Sequence, residues 1–263
     1  MAYTTVAKPS AHCEAKTYTG SSSAVSVTGV GFKPDIVWTK DRTEAHAFGM
    51  YDSSRGIKRW LKGNATQSEN NNSGASVVDA SLTSFDSAGF TIATMSTDPI
   101  GNKNGNYFRA WMWKANGGTT SSNGSGSTTS TVQANTTAGM SIVTYAGTGE
   151  NATIGHGLGV APKFILTKNR TNNRGWGVYH GATEIVTDPQ TDYMELNAAS
   201  GWNDDNTYWN DTAPTSTLFS VGTNNSVNEA SCNMVAYCFS QIQGYSHFGT
   251  YWGSDDSADG PMV

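Results

Sequence analysis

Short segments in which apolar and polar residues alternate recur along the chain, and stretches rich in Gly, Ser, Thr and Asn separate them. Alternation with a period of two sends successive side chains to opposite faces of a strand, so each segment predicts a β-strand. In residues 107–114 both alternating sets include bulky apolar side chains, as expected for a central strand that is buried on both faces. The other predicted strands are residues 24–27, 34–40, 89–93, 140–145, 163–168, 175–179, 217–221 and 233–239.

The predicted strands fall into two copies of one pattern. Residues 17–51 recur as residues 144–179, and the tetrapeptide Phe-Gly-Met-Tyr at 48–51 returns as Trp-Gly-Val-Tyr at 176–179. A repeat of this length has the size of a small domain. Short strands at this spacing, with Gly and Asn between them, are typical of antiparallel sandwiches. The sequence therefore predicts an all-β protein with two tandem antiparallel β-sandwich modules.

The repeat also predicts where the units begin and end. Residues 250–253 repeat the opening strand of a module, so Thr250, Tyr251 and Trp252 are expected to form the first strand of an incomplete third copy. Because an isolated strand cannot bury its own faces, it would close an edge of the second module or pair with a neighbouring subunit in a homo-oligomer. The predicted units are an N-terminal arm (1–14), module 1 (15–116), a flexible Gly/Ser/Thr linker (117–131), module 2 (132–243) and a C-terminal strand and tail (244–263).

Composition narrows the class of protein. Only 14% of the residues are charged, against about 25% in an average globular protein. The net charge of −5 comes without a basic stripe, so nucleic acid is not an expected partner. No apolar stretch is long enough for membrane insertion, and the N-terminal residues do not resemble a signal peptide, so synthesis in a cytoplasm without general secretion is expected. Cys13, Cys232 and Cys238 are too few for a disulfide framework and are expected to be small apolar side chains in the core.

Catalytic motifs are absent from the sequence. No nucleophile elbow, phosphate-binding loop, zinc spacing or dinucleotide fingerprint is present. His156 and His180, with Asp188 nearby in sequence, could form a base and its orienting carboxylate, but His156 lies in a predicted turn whose counterpart in module 1 has no histidine. The carboxylates that could serve a glycosidase are Glu44, Asp52, Glu184 and Glu195, and the sequence does not bring any two of them together. We therefore expect no enzymatic activity and no cofactor.

Two oxygen-rich stretches are candidate cation sites. Residues 203–206 and 255–260 contain several Asp and Asn side chains, which are suitable ligands for Ca²⁺. Neither fits the twelve-residue loop between two helices, and solvated turns account for both. The sequence therefore predicts no metal site, and a weak calcium site is the alternative.

Aromatic residues next to polar loops suggest contact with carbohydrate. An indole ring can stack on the apolar face of a sugar while neighbouring Asn and Asp side chains bind its hydroxyl groups. The candidate glycan-binding residues are Trp60, Trp202, Asn203, Asp204, Tyr208 and Trp209. The alternative interpretation is that Trp202 and Trp209 cover the core of the sandwich.

Longer motifs carry a resemblance to a known family. They include Gly-Phe-Lys-Pro-Asp-Ile-Val-Trp-Thr-Lys-Asp-Arg at 31–42 and Leu-Thr-Ser-Phe-Asp-Ser-Ala-Gly-Phe at 82–90, with further segments at 155–163, 208–216, 235–239 and 244–249. As a set they resemble a repeat domain in structural proteins of tailed phages, especially phages of marine bacteria and cyanobacteria. The resemblance covers most of the chain. It implies a protein of the virion surface, made in the host cytoplasm and released by lysis, with other tail or capsid proteins as partners and no catalytic residues.

Residues and resemblance together predict a non-enzymatic phage structural protein, a tail fibre or appendage that acts in assembly and in recognition of a host surface polysaccharide. The sequence contains no coiled coil or collagen-like shaft, which favours a compact appendage over a long fibre. Two alternatives remain at this point. One is a head decoration or fibre protein that stabilises the capsid, and the other is a polysaccharide-degrading enzyme of the tailspike type.

Overall fold

Two large antiparallel sheets, one from each copy of the repeat, form the centre of the molecule. The computed structural model describes residues 4–71, 81–94, 99–183 and 187–251. As the sequence predicts, the architecture is all-β, with several antiparallel sheets and only short helices.

Module 1 contains nine strands in two sheets. The large sheet has the strand order β1-β9-β3-β4-β5-β6, and the small sheet has the order β2-β8-β7. The strands are β1 (Cys13–Thr19), β2 (Val25–Val27), β3 (Ile36–Asp41), β4 (Gly49–Asp52), β5 (Arg59–Lys62), β6 (Asn70–Asn71), β7 (Leu82–Asp86), β8 (Gly89–Ile92) and β9 (Tyr107–Trp113).

Module 2 repeats this plan with additions at both edges of its large sheet. The large sheet has the order β10-β11-β12-β19-β14-β15-β16-β17, and the small sheet pairs β13 with β18. The strands are β10 (Ser121–Asn123), β11 (Ser130–Asn135), β12 (Met140–Ala146), β13 (Ala152–Gly155), β14 (Phe164–Asn169), β15 (Trp176–His180), β16 (Asp192–Glu195), β17 (Asn203–Asp204), β18 (Leu218–Val221) and β19 (Asn233–Phe239). Two short helices, α1 (Asn206–Trp209) and α2 (Asn225–Asn228), lie on either side of β18 in the chain.

The repeat extends to individual hydrogen bonds. The Tyr18 hydroxyl donates to the carbonyl of Gly101 over 2.6 Å, and the equivalent Tyr145 hydroxyl donates to the carbonyl of Val227 over 2.6 Å. Similar pairs join Thr39 to Gly49 and Thr167 to Gly177, Lys40 to His46 and Lys168 to Arg174, and Asn102 to Ser21 and Asn228 to Thr148. The two modules therefore share a hydrogen-bonded framework, as well as their strand pattern.

Each module has its own core between its large and its small sheet. In module 1, Val37 and Met112 of the large sheet pack with Phe90 and Ile92 of the small sheet. In module 2 the corresponding core includes Ile165 and Ala236 of the large sheet with Phe219 and Val221 of the small sheet. Because successive side chains of a strand point to opposite faces, one face of each strand contributes its side chains to this core.

The opposite faces of the two large sheets share a third core, which we call the central layer. It is formed by buried residues of both modules: Ile36, Met50, Leu61, Ala115, Met140, Ile142, Leu166, Trp176, Val178, Val235 and Tyr237. Strands β9 and β19 are interior strands of their sheets, and each has apolar side chains on both of its faces. The order of layers is therefore small sheet, large sheet, large sheet, small sheet.

Three expectations about chain organisation need correction. The arm predicted at 1–14 is packed in its described part, where Val6 is only 1% exposed and β1 already begins at Cys13. The linker predicted at 117–131 contains β10 and the start of β11, which extend the large sheet of module 2. Small polar residues gave no apolar pattern there, yet their backbones complete the edge of a sheet, and the buried Ser130 hydroxyl donates to the carbonyl of Gly155 over 2.7 Å.

The predicted strand of a third copy is not observed where it can be checked. Thr250 and Tyr251 have no strand conformation and no partner strand, and Tyr251 is 60% exposed. Trp252 lies outside the described residues. The repeat of sequence at 250–251 therefore does not produce a strand at these two residues.

The central layer predicts that the two modules unfold together. Leu166 is buried in the central layer, and Leu82 is buried in the core of module 1. Replacing either residue by alanine leaves a cavity and should lower the free energy of unfolding by about 2–5 kcal/mol. We expect calorimetry to show one transition, which each variant shifts as a whole. Two transitions, of which Leu82→Ala shifts only one, would contradict this account.

Candidate functional site

Most of the aromatic residues predicted to bind glycan are part of the core. Trp60 and Tyr208 are each 3% exposed, and Trp209 is 2% exposed. Tyr208 stacks on Tyr193 with ring centroids 3.7 Å apart, and Trp209 packs edge-on against Tyr179 at 5.9 Å. These rings have no free face for a sugar, so the glycan-binding prediction is wrong for these three residues. The alternative interpretation, that Trp202 and Trp209 cover the core, holds for Trp209, whereas Trp202 is only half-buried. A position next to polar loops does not show which way a ring faces.

Trp202, Asn203 and Asp204 remain at the surface. Trp202 is half-buried and lies edge-on to the His180 ring, with 5.8 Å between centroids. Asn203 and Asp204 form β17, which pairs with β16 at the edge of the large sheet of module 2. We call these three residues with His180 the Trp202 surface. It combines a partly free indole with an exposed carboxylate and an amide.

His156 is a structural residue. It is fully buried, and burial lowers its pKa although a hydrogen bond to the Thr215 carbonyl opposes the shift. The backbone N–H of Leu158 donates to Nδ1 over 3.2 Å, so Nε2 carries the proton and donates to the Thr215 carbonyl at 3.1 Å. Both nitrogens are therefore occupied, and the pairing with His180 and Asp188 considered from the sequence does not occur. His180 instead lies between Phe164 and Trp202.

The candidate glycosidase carboxylates lie in different surroundings. Glu44 pairs with Lys103 at the surface over 2.6 Å, whereas Asp52 is buried next to Arg55. Glu195 accepts a hydrogen bond from the Tyr208 hydroxyl over 3.3 Å, and Glu184 lies outside the described residues. The described carboxylates of this set do not converge on a common cleft.

The oxygen-rich stretch at 203–206 has a structural use. The Asp205 carboxylate accepts a hydrogen bond from the backbone N–H of Thr207 over 2.9 Å and so caps the N-terminus of α1. The stretch at 255–260 lies outside the described residues. Within the described ranges, no group of three or more His, Cys, Asp or Glu side chains is arranged to hold a metal ion.

A cleft of 330 Å³ lies between the two modules. Aromatic side chains from both modules and from the segment after β19 line it: Trp38, Trp113, Phe164, Phe239, Tyr245 and Phe248. Phe164 and Phe248 are stacked with centroids 5.7 Å apart and their planes at 7°. The lining suits an apolar side chain, and His12 at its rim has a pKa lowered by burial and by Lys114.

Residues 241–248 separate this cleft from a more open cavity of 840 Å³. Tyr245 and Ser246 line both spaces, and Lys163 and His247 contribute to the open one. The Ser246 hydroxyl donates to the carbonyl of Ser240 over 3.3 Å, which holds the segment against the end of β19. The segment after β19 is therefore part of the inter-module surface.

Buried charges join the modules beside the central layer. The Asp52 carboxylate pairs with the Arg55 guanidinium and accepts a hydrogen bond from the Tyr237 hydroxyl of module 2 over 2.6 Å. Arg55 also reaches Glu69 at 3.0 Å, and Glu69 binds Arg170 of module 2 through two hydrogen bonds of 2.9 and 3.0 Å. These contacts join the two modules at two points, between Asp52 and Tyr237 and between Glu69 and Arg170.

Glu69 is the centre of this network. Burial would raise the pKa of its carboxyl group, but hydrogen bonds from Arg170 and the charge of Arg55 outweigh burial and lower the pKa to about 2. Arg59 adds a further contact of 2.8 Å. Sequence reasoning missed this network because Glu69 and Arg170 are far apart in the chain. The repetition of Arg42 as Arg170 was the only signal in the sequence.

The network predicts a pH dependence of stability. Because the pKa of Glu69 is lowered on folding from 4.5 to about 2, its stabilisation is present above pH 4.5 and is lost as the pH falls towards 2. Glu69→Gln should lower the free energy of unfolding at pH 7 by roughly 3 kcal/mol, since it leaves Arg59 and Arg170 without their carboxylate and Arg55 with Asp52 alone. We expect the difference in unfolding free energy between this variant and the wild type, measured by denaturation, to be smaller at pH 2.5 or below than at pH 7, because the carboxyl group is protonated as the pH falls. Glu150→Gln, at an exposed position, is the control. A difference for Glu69→Gln that is equal at both pH values would contradict the assignment.

Comparison with known protein families identifies a family whose function is unknown. A family model described as a domain of unknown function (DUF7483) matches residues 8–263, so a single model spans both modules. No curated protein and no solved structure matches the chain. Among the described residues, no helix is long and apolar enough to cross a membrane. The chain belongs to the DUF7483 family.

Proposed function

We propose that the chain is a non-enzymatic structural protein of the virion surface of a tailed phage, which acts in assembly and in recognition of a host glycan. The observation that carries the proposal is that the buried polar groups of the chain bind other parts of the fold. They hold turns in place and join the two modules, as in the contact between Asp52 and Tyr237. Such use is suited to a rigid scaffold that presents its loops to partners.

Two titratable groups with strongly shifted pKa values, Lys168 and Glu69, are used within the fold and support a non-enzymatic role. An active site needs such a group facing a substrate cleft. Lys168 is buried, and burial lowers its pKa to about 8 against the opposing charge of Glu195. Its ammonium group donates to the backbone carbonyls of Thr66 and Arg174. Glu69 is likewise fully engaged by arginines. The partners of both groups therefore lie within the fold.

The Trp202 surface is the part of the predicted glycan site that supports recognition. Trp202 keeps a partly exposed indole, and Asp204 next to it is exposed. The His180 ring supports the indole edge-on at 5.8 Å, which limits its motion. An indole held in this way can stack on a sugar ring while Asp204 binds its hydroxyl groups. The virion context itself rests on the resemblance of the sequence motifs to phage structural repeats.

Glycan recognition can be tested with Trp202→Ala. Loss of ring stacking should weaken binding of the host surface polysaccharide about tenfold, measured by calorimetry or on a glycan array. Tyr107→Ala is the matched control, because Tyr107 is a 61% exposed aromatic residue on module 1. Equal affinity of the Trp202→Ala variant and the wild type would contradict the assignment of this surface.

The location of the protein tests the virion role. We expect antibody labelling of purified particles of the encoding phage to mark the tail, and incubation with the host polysaccharide to release no reducing ends. Label confined to the head would replace the appendage by a capsid decoration protein. Absence of the chain from particles, or release of reducing ends, would overturn the proposal.

A further inference from the structure

Strand β1 is an open edge of the large sheet of module 1. Within the described part of the chain it is hydrogen-bonded to β9 alone. Its counterpart in module 2, β12, is paired on both sides, with β19 and with β11. Edge strands that expose their backbone groups can pair with a further strand.

The hydrogen-bond pattern shows which backbone groups of β1 face outward. Lys114 N–H donates to the carbonyl of His12, and Gly20 N–H donates to the carbonyl of Asn106, each over 2.8 Å. In an antiparallel pair, alternate residues bond to the same neighbour, so the even-numbered residues between His12 and Gly20 bond to β9. The backbone groups of the odd-numbered residues, including Ala15, point away from the sheet.

In module 2 the equivalent edge is paired with an antiparallel strand. Alignment of Thr17 with Thr144 makes Ile142 the counterpart of Ala15. In module 2, Ile142 lies opposite Gln133 of the antiparallel strand β11. The same edge in module 1 therefore has the geometry for such a partner.

The side chains of β1 identify a partner. Glu14 and Lys16 leave the same face of the strand, two residues apart, and are half-buried. Neither forms an ion pair with a described residue. If two copies of β1 pair antiparallel with Ala15 opposite the partner subunit's Ala15, then Glu14 lies opposite the partner's Lys16 and Lys16 lies opposite the partner's Glu14.

We propose that the protein forms a two-fold symmetric dimer in which β1 pairs antiparallel with β1 of a second copy, centred on Ala15. The pairs of Glu14 with the partner's Lys16 are then of the non-hydrogen-bonded kind, which brings side chains closest. Centring on Glu14 or on Lys16 would place like charges opposite each other, so the charges select this register. The two large sheets become one continuous sheet across the dimer.

The proposal depends on the edge of β1 and is independent of the virion role. A dimer would not show that the protein belongs to a virion, and a monomer would not argue against it. The experiments on the dimer and those on the virion can therefore have opposite outcomes.

Charge reversal provides the test, by light scattering or sedimentation of the full chain. We expect the wild type to have twice the monomer mass of 27.9 kDa. Glu14→Lys alone and Lys16→Glu alone place like charges opposite each other and should give monomers. The double variant, and an equimolar mixture of the two single variants, restore opposite charges and should restore the dimer.

Controls separate pairing from folding. Glu150→Lys reverses an exposed charge on module 2 and should leave the dimer intact. Ala15→Pro removes an outward-facing N–H and leaves the bonds to β9, so it should give a folded monomer, with the circular dichroism spectrum of the wild type and an unfolding temperature that no longer depends on protein concentration. In the dimer the two Ala15 Cα atoms lie about 5.5 Å apart, so Ala15→Cys should cross-link under mild oxidation where the wild type does not.

Two outcomes would overturn the proposal. One is a wild type that stays monomeric at the highest soluble concentration, in which case the charges of β1 protect an edge that remains unpaired. The other is a dimer whose mass is the same in both single reversals and in Ala15→Pro, since that dimer would use a different surface.

Discussion

The central layer between the two large sheets is the contact on which the rest of the structure depends. A large sheet with apolar side chains on both faces needs two partners, and the small sheet of its own module covers only one face. The other module covers the second face, with Trp176 and Tyr237 fully buried between the sheets. At about 25 cal/mol for each Å² of apolar surface buried, such a layer is a major part of the stability of the chain. The duplication therefore has a physical use, because each copy completes the core of the other.

The buried charges are positioned by this contact. Asp52, Arg55 and Glu69 meet Tyr237 and Arg170 only because the sheets pack face to face. A buried ion pair stabilises little unless its hydrogen bonds are satisfied, but it strongly disfavours arrangements that separate its members. The apolar layer therefore supplies attraction, and the network fixes how one module sits on the other.

The sequence predicted nine of the 19 strands in the described part of the chain and predicted the site poorly, for a physical reason. Alternation is a local property, so strands such as β9 and β19 could be predicted nearly residue by residue. Among the missed strands, β10 is a polar edge strand held by backbone bonds, which the side-chain pattern does not report. Trp209 faces the core and Trp202 faces the surface, although both lie near polar residues. That difference depends on contacts between residues far apart in the chain.

The claim that two copies of one module form a single cooperative unit can be tested directly by native-state hydrogen exchange. The measurement compares amides of β3 in module 1 with amides of β14 in module 2, which are equivalent strands covered by the central layer. We predict that both sets exchange only by global unfolding, with the same free energy and the same denaturant dependence. Exchange of one strand at a clearly lower free energy, while the other stays protected, would contradict the account.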